Sequence, residues 1–305
     1  MTSTNTPSDP RAAGKIRSLA EAVDLIRDGD VVAIGGHAGR RHPMALVREI
    51  IRQGKRRLHL VGWNNGIDID LLVGAGCVET VESAAVAIVG ADATASPAHN
   101  LRRAVESGRI RVIEHAEETA LDRFRAGAAG LPMMPSTATA GPHLKPFTDP
   151  FTGETWMAVQ AVRPDVALLH AHAADARGNV RQDAERRYDI APDVLIARSA
   201  RTVIVSVEQI VSEQAAAHPT DLILSGGEVA GIVEAPYGAH PCACDSRYDD
   251  DLDHLRQYQE VSASPDGVAA YLDAHAHRLP DHRAYLDALG MRRLMGISTK
   301  RTHRG

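Results

Sequence analysis

Arg40, Arg41 and His42 directly follow a glycine-rich run, Gly35-Gly36-His37-Ala38-Gly39, and directly precede Pro43. Guanidinium groups, imidazoles and unhindered backbone amides in so short a stretch suit an anion. Proline favours the first turn of a helix, where its missing N–H would be unpaired anyway. A helix opening at Pro43 would aim its free N–H groups and the positive end of its dipole at the loop. A carboxylate, a phosphate or a developing oxyanion is the species such a place stabilises. The run has neither the dinucleotide-binding glycine spacing nor the Lys-Ser or Lys-Thr of a phosphate-binding P-loop. On its own it reads equally well as a tight turn.

Other residues offer chemistry with blander accounts beside it. Glu114, Glu117 and Glu118 cluster where a helix should start. Carboxylates there complement the dipole by about 0.3–1 kcal/mol, and a catalytic base or nucleophile is the sharper reading. His170 and His172 share one side of a strand, and His240-Pro-Cys242-Ala-Cys244-Asp245 has a metal-like look. Neither brings the second ligand pair that a zinc site shows, so no metal is expected. Arg186-Arg187-Tyr188-Asp189 and Arg198 read as a solvated face, and Asp249-Asp250-Asp251 as a charged loop.

The elements that must hold these groups follow from periodicity. Val31–Ile34 reads as a strand, and Met44, Leu46, Val47, Ile50 and Ile51 as the apolar face of the helix after the glycine loop. Before them Ile16–Arg27 reads as a helix. After them come a strand at Leu58–Val61, a loop at Trp63–Gly66, a short helix at Ile67–Val73 and a wholly apolar strand at Ala84–Val89. Ala98–Glu106 and Glu117–Ala129 read as helices around a strand at Ile110–Ile113. Residues 131–153 carry prolines at 132, 135, 142, 146 and 150 and are expected to be irregular, as a lid, arm or substrate wall. Further strands are expected at Trp156–Ala161, Val166–His170, Val194–Ile196, Val203–Ser206 and Ile232–Glu234. A polar loop is expected at 173–179, a helical or irregular stretch from Gln209, and two helices within Pro265–Leu294. Alternating strands and helices imply an α/β fold, a mostly parallel open sheet with helices on both faces. Ligands then sit beyond the carboxyl ends of strands, which singles out loops 35–42, 171–179 and 235–245.

The chain has 305 residues, 44% of them hydrophobic, enough for a sizeable core. Its net charge of −5 and scattered basic residues show no nucleic-acid partner, and no apolar run is long enough to span a membrane. Residues 1–14 read as a disordered tail ahead of a single domain over 15–305. Three cysteines and no apolar leader point to a reducing cytoplasm.

Taken in order, several of these stretches resemble the A (alpha) chain of the glutaconate CoA-transferase family, a branch of class I CoA-transferases. The match runs from about Ser18 to Leu294 and is carried by Gly35-Gly36…Arg41-His42-Pro43…Glu49-Ile50 and Ala129-Gly130-Leu131-Pro132…Pro135. It continues through Val166-Ala167-Leu168-Leu169-His170, Val233-Glu234-Ala235-Pro236-Tyr237-Gly238-Ala239-His240-Pro241 and Asp281–Gly290. The resemblance implies a two-component transferase that moves CoA between an acyl-CoA and a carboxylic acid, of dicarboxylic or oxo type, through a glutamyl-CoA thioester. The nucleophilic glutamate would lie on a partner beta subunit, in a Ser-Glu-Asn-Gly setting missing here, and α2β2 is the implied assembly. No cofactor would be bound permanently; coenzyme A is a substrate. Gly35 and Gly36 would form the oxyanion and acyl site, where losing one preorganised donor costs about 3–4 kcal/mol of barrier. His37, Gly39, Arg40, Arg41 and His240 would contact substrate, the arginines by bidentate pairing with a carboxylate. Glu117 matches the catalytic glutamate of a steroid-ring-cleaving CoA-thioester hydrolase. That leaves hydrolysis or decarboxylation as a second reading, with a ligand-sensing module on the same fold type as a third.

Overall fold

The computed structural model describes residues 14–89, 95–182, 191–212 and 221–298. The expected tail, Gly14 apart, and the Arg186–Asp189 run fall outside them. In chain order the first half holds α1 (Leu19–Val23), β1 (Val31–Ile34), α2 (Met44–Gln53), β2 (Leu58–Val61), β3 (Asn64–Asn65), α3 (Ile67–Gly74), β4 (Val78–Ser83), β5 (Ala85–Val89), β6 (Ala95–Pro97), α4 (His99–Glu106), β7 (Arg111–Glu114) and α5 (Glu117–Ala128). The second half holds β8 (Met133–Ser136), β9 (Leu144–Thr148), β10 (Thr155–Gln160), β11 (Val166–Asp175), β12 (Val180–Arg181), α6 (Ala191–Ser199), β13 (Thr202–Val211), β14 (Leu222–Leu224), β15 (Gly231–Glu234), α7 (Leu252–Ser262), α8 (Pro265–Leu272), α9 (His282–Leu289) and α10 (Met291–Ile297).

A parallel sheet in the order β7-β4-β2-β1-β11-β13-β15 forms the frame. Short antiparallel β12 and β14 extend it beyond the end of β11. From β1 the chain first builds outward on one side and then, through β11, on the other. The sheet therefore reverses between β1 and β11, and the crevice outside their carboxyl ends is where such folds bind ligands. The loop that leaves β1 there is Gly35–His42. β11 is buried along its whole length. Val166 and Leu168 point into a core shared with α2, α3, α7 and α8, whereas Ala167 and Leu169 point into one shared with α5 and α6. Helices thus cover both faces, as the unbroken apolar strands require.

Five details differ from the sequence reading. Ala85–Val89 is apolar but lies outside the main sheet, pairing with β3 and β6. The frame strand there is Val78–Ser83, whose Glu79 and Glu82 disguise it; Glu82 is buried against an arginine. Val194–Ile196 belongs to a helix, α6, because Pro192 and Asp193 occupy its first turn, where both are favoured. β11 continues to Asp175 and β13 to Val211, past the expected ends. The proline-rich 131–153 segment is largely regular: β8 and β9 flank β10 in an antiparallel sheet. Pro135 and Pro146 sit in the two edge strands, where a missing N–H leaves no ladder bond unmade.

Candidate active site

The glycine loop uses up nearly all its own amides. Gly35 N–H extends the β1–β11 ladder to the Leu168 carbonyl at 2.9 Å, and Ala38 N–H reaches the Asn64 carbonyl at 2.9 Å. Gly36 N–H donates to Asp193 Oδ1 at 2.7 Å. His37 and Arg40 close a turn on each other, and Arg41 N–H donates to the Ala243 carbonyl at 2.8 Å. Among the described residues, Gly39 N–H is the one amide from 35 to 41 without an acceptor. Gly39 is half-buried at the tip of the loop. Gly35 and Gly36, expected as the oxyanion donors, are therefore committed to the fold. Gly36 has φ +98°, and a Cβ there would stand 2.7 Å from His42 Nδ1. At Gly39 a Cβ would collide with the Val89 carbonyl oxygen.

Buried charge sets the loop's shape. Arg41 lies between two carboxylates, Asp193 and Asp245, each 3.3 Å away, and is 1% exposed. Arg40 also pairs with Asp245. The sequence points to both arginines as holders of a substrate carboxylate. They instead hold the chain's own acids, and tie loop 35–42 to loop 235–245. His42 is fully buried, with Nδ1 3.2 Å from Asp68 and Nε2 against the Ala38 carbonyl. Burial alone would lower its pKa, but the Asp68 carboxylate outweighs it and the pKa is raised. Asp68 is lowered: burial pushes it up, but the His42 charge and the Gly66 N–H and Asn65 amide outweigh that.

Glu117 lies at the loop's flank. Its carboxylate accepts from Asn64 Nδ2 at 3.1 Å, and Asn64 is the residue whose carbonyl holds Ala38. Glu117 itself is exposed, in the first turn of α5. Trp63, next to Asn64, stacks on the His37 ring with centroids 4.6 Å apart. Behind Glu117, at the carboxyl ends of β4 and β7, the Glu82 carboxylate receives Arg123 and lies 2.7 Å from His115 and 2.9 Å from His59. Burial lowers the pKa of His59, His115 and His143 alike. The sequence reading missed Glu82, His115, Arg123 and Asp193, and took Asp245 only as part of a metal-like run. Their signal was position alone, since Glu82 and His115 end or follow strands where ligands gather.

His240 is displaced from the site altogether. It is fully buried, 2.7 Å from the Tyr285 hydroxyl and 3.0 Å from Asp251, and it anchors the C-terminal helices. Expected to contact substrate, it has no face open in this chain. Asp251, expected in a charged loop, caps α7 and pairs with Arg293. His170 Nε2 donates to Glu208 and Nδ1 shares a hydrogen bond with the Ser206 hydroxyl inside the sheet, and Glu208 also accepts from Tyr237, Gly238 and Tyr248. Among the described residues three sets of donor atoms converge as in metal sites, Glu82-His115-His143, His170-Glu208-Cys244 and His240-Asp251-His254. An arginine already neutralises Glu82 and Asp251, and Glu208 is saturated by donors. Cys242 and Cys244 are buried thiols with pKa values pushed well up by desolvation. Arg198 lies on the surface and pairs with Glu228. No helix among the described residues is long and apolar enough to cross a membrane.

Residues 16–235 match the family model for coenzyme A transferase. The alpha (A-type) chain of glutaconate CoA-transferase from Acidaminococcus fermentans is 31% identical over 93% of this chain and 94% of its own. The crystal structure of that organism's glutaconate coenzyme A-transferase superposes with a TM-score of 0.87, covering 94% of this chain and 96% of its own. A cholesterol ring-cleaving hydrolase IpdA subunit of Rhodococcus jostii is 32% identical over 84% of this chain and 90% of its own. An uncharacterized protein of Archaeoglobus fulgidus is 34% identical over 91% of this chain, which spans 63% of that protein's length.

Proposed function

The chain belongs to the coenzyme A transferase family, and from that premise we infer that it is the alpha subunit of a two-component CoA-transferase, active only with a beta subunit. The observation that carries the reading is the Gly39 amide. Among the described residues it is the one N–H from Gly35 to Arg41 without an acceptor, and unlike the N–H of buried His42, which also lacks one, it stands at the half-buried tip of the loop by the sheet's switch point. In acyl transfer a carboxylate attacks the thioester carbonyl, and the carbonyl oxygen gains negative charge that a preorganised donor stabilises. Gly39 N–H is that donor. The nucleophile is a glutamate of the partner, which takes up CoA as a thioester and passes it to the acceptor acid. Two alpha and two beta subunits form the assembly. The resemblance to a glutaconate transferase supports a dicarboxylic or oxo acid as substrate. With Arg40 and Arg41 tied to Asp245 and Asp193, its far carboxylate is held by other residues. The test is reconstitution with an acyl-CoA and the beta subunit. Hydroxylamine or borohydride should trap a glutamyl-CoA adduct on the beta subunit; an active complex with no adduct refutes the reading.

One observation favours a second reading, hydrolysis of an acyl-CoA with Glu117 as base. Asn64 fixes the Glu117 carboxylate beside the glycine loop at 3.1 Å, and the IpdA relative is a ring-cleaving hydrolase. Glu117→Gln separates the two. A general base is worth about 10²–10⁴-fold, so a hydrolase would lose most turnover and a transferase little.

A further inference from the structure

We propose that His42 is a doubly protonated imidazolium, locked under the glycine loop by Asp68, and that it is a positioning residue that turns the Gly39 N–H outward. The inference rests on the transferase reading only for its kinetic consequence; the geometry stands without it.

Both ring nitrogens face acceptors. Nδ1 lies 3.2 Å from Asp68 Oδ2 and 3.2 Å from the Gly35 carbonyl oxygen. Nε2 lies against the Ala38 carbonyl oxygen. A neutral imidazole carries one N–H and would turn a lone pair toward one of these oxygens. In a site with no solvent exposure nothing else can relieve that repulsion, so both nitrogens carry protons. Asp68 remains an anion because Gly66 N–H and Asn65 Nδ2 also donate to it, each at 2.7 Å.

The charged groups around the pair agree. Arg41 is balanced by Asp193 and Asp245, and Arg40 by Asp245, so neither repels the imidazolium with an uncompensated charge. Asp193 adds attraction from α6. The Cys242 thiol, near Asp68, stays protonated.

The consequence for Gly39 follows from peptide geometry. The Ala38 carbonyl and the Gly39 N–H belong to one planar peptide unit, and in the trans form they point in opposite directions. Drawing the carbonyl inward onto His42 therefore drives the N–H outward, to the half-buried tip. Ala38 has φ +51°, a left-handed conformation that a residue with a Cβ adopts only under constraint. The His42 bond to its carbonyl supplies the constraint, and a charged donor also polarises the peptide and strengthens its N–H as a donor.

Three measurements test this. In ¹⁵N-histidine NMR of the full chain, with His42 assigned by its loss in His42→Asn, both ring nitrogens should stay protonated at pH 7.5; a single protonated nitrogen overturns the proposal. In the reconstituted complex, His42→Asn should cut kcat about 100-fold, the scale of one lost oxyanion donor, with the KM for acyl-CoA within about twofold. Unchanged kcat in a folded variant overturns the positioning role. Wild-type kcat should fall on the alkaline side as His42 loses its proton, and Asp68→Asn, which keeps the shape and removes the charge, should move that limb to lower pH. A limb that does not move overturns the pairing, even if His42→Asn fails to fold. A wild-type complex without any transfer would instead refute the transferase reading, and the NMR result would still decide the protonation of His42.

Discussion

Asp193→Ala tests whether Gly36 is a fold residue or an oxyanion donor. The Asp193 carboxylate is 5% exposed and serves two donors, Gly36 N–H at 2.7 Å and Arg41 Nε at 3.3 Å. Removing it leaves the buried Gly36 amide without an acceptor, which costs about 1–3 kcal/mol. It also strips Arg41 of one of its two carboxylates. Breaking a buried pair outright costs about 3–5 kcal/mol. Asp245 stays in place but is shared with Arg40, so the low end of that range applies. The expected loss is roughly 4–6 kcal/mol, a large share of a typical 5–15 kcal/mol stability. Asp193→Asn keeps an oxygen for Gly36 and removes only the charge, so it should be milder by roughly 2 kcal/mol. Urea unfolding of the full chain, followed by the fluorescence of Trp63 on His37, would read both. An Asp193→Ala variant within about 1 kcal/mol of wild type would refute the reasoning. Gly36 N–H would then not depend on Asp193 and would be open to a substrate oxygen.

Gly39→Ala should cost far more activity than stability. Its Cβ collides with the Val89 carbonyl oxygen and shifts the unpaired Gly39 amide, so adduct formation should fall about 10²–10³-fold while the complex still assembles on gel filtration. Adduct formation within about threefold of wild type would remove Gly39 from the oxyanion site. The C-terminal helices should loosen in acid. Burial, reinforced by the Arg48 charge, holds His275 at about 4 and His282 at about 3, against an ordinary value of 6.5. A histidine with a lowered folded pKa gives full stability above its unfolded value, and that contribution is lost as pH falls. Each one held fully neutral costs up to roughly 1.4 kcal/mol per pH unit below about 6.5. His240 and His254 are lowered too and act in the same sense. His42 has the opposite sign, since its raised pKa adds stability at low pH that is lost as pH rises through the folded value. Hydrogen exchange should therefore show helices α7–α10 losing protection between pH 6.5 and about 4, before the parallel sheet does; equal loss in both would refute the assignment.

The frame was legible because burial writes itself into composition. Val31–Ile34 and Val166–Leu169 are apolar without interruption, as strands covered on both faces must be. Strands whose polar residues are satisfied internally stayed hidden. Glu82 makes β4 look exposed, although the Arg123 charge lets it lie in the core. The converse error came at Ala85–Val89, whose apolar residues brace Gly39 and Gly66 from a side sheet. In the site, the glycine run drew attention to Gly35 and Gly36, whose amides the fold itself takes up. Nothing in Gly35-Gly36 says that Leu168 and Asp193, more than a hundred residues away, accept their protons. Arg40 and Arg41 misled for the same reason. A basic pair advertises an anion site until Asp193 and Asp245 fold onto it.

The amide accounting also gives a reason for dividing the site between two chains. A donor that stabilises a transition state must not be satisfied in the ground state by the nucleophile that attacks beside it. A glutamate on this loop would reach Gly39 N–H as Asp193 reaches Gly36 N–H, and would quench it. Alone, the half-buried Gly39 amide is solvated by water at little cost. When a partner covers it, an N–H without an acceptor costs about 1–3 kcal/mol, which only an acyl oxygen placed there relieves. On the proposed reading, assembly would turn an idle amide into a demand for substrate. The buried His42–Asp68 pair would then keep that amide turned toward the proposed partner rather than folded back into the loop.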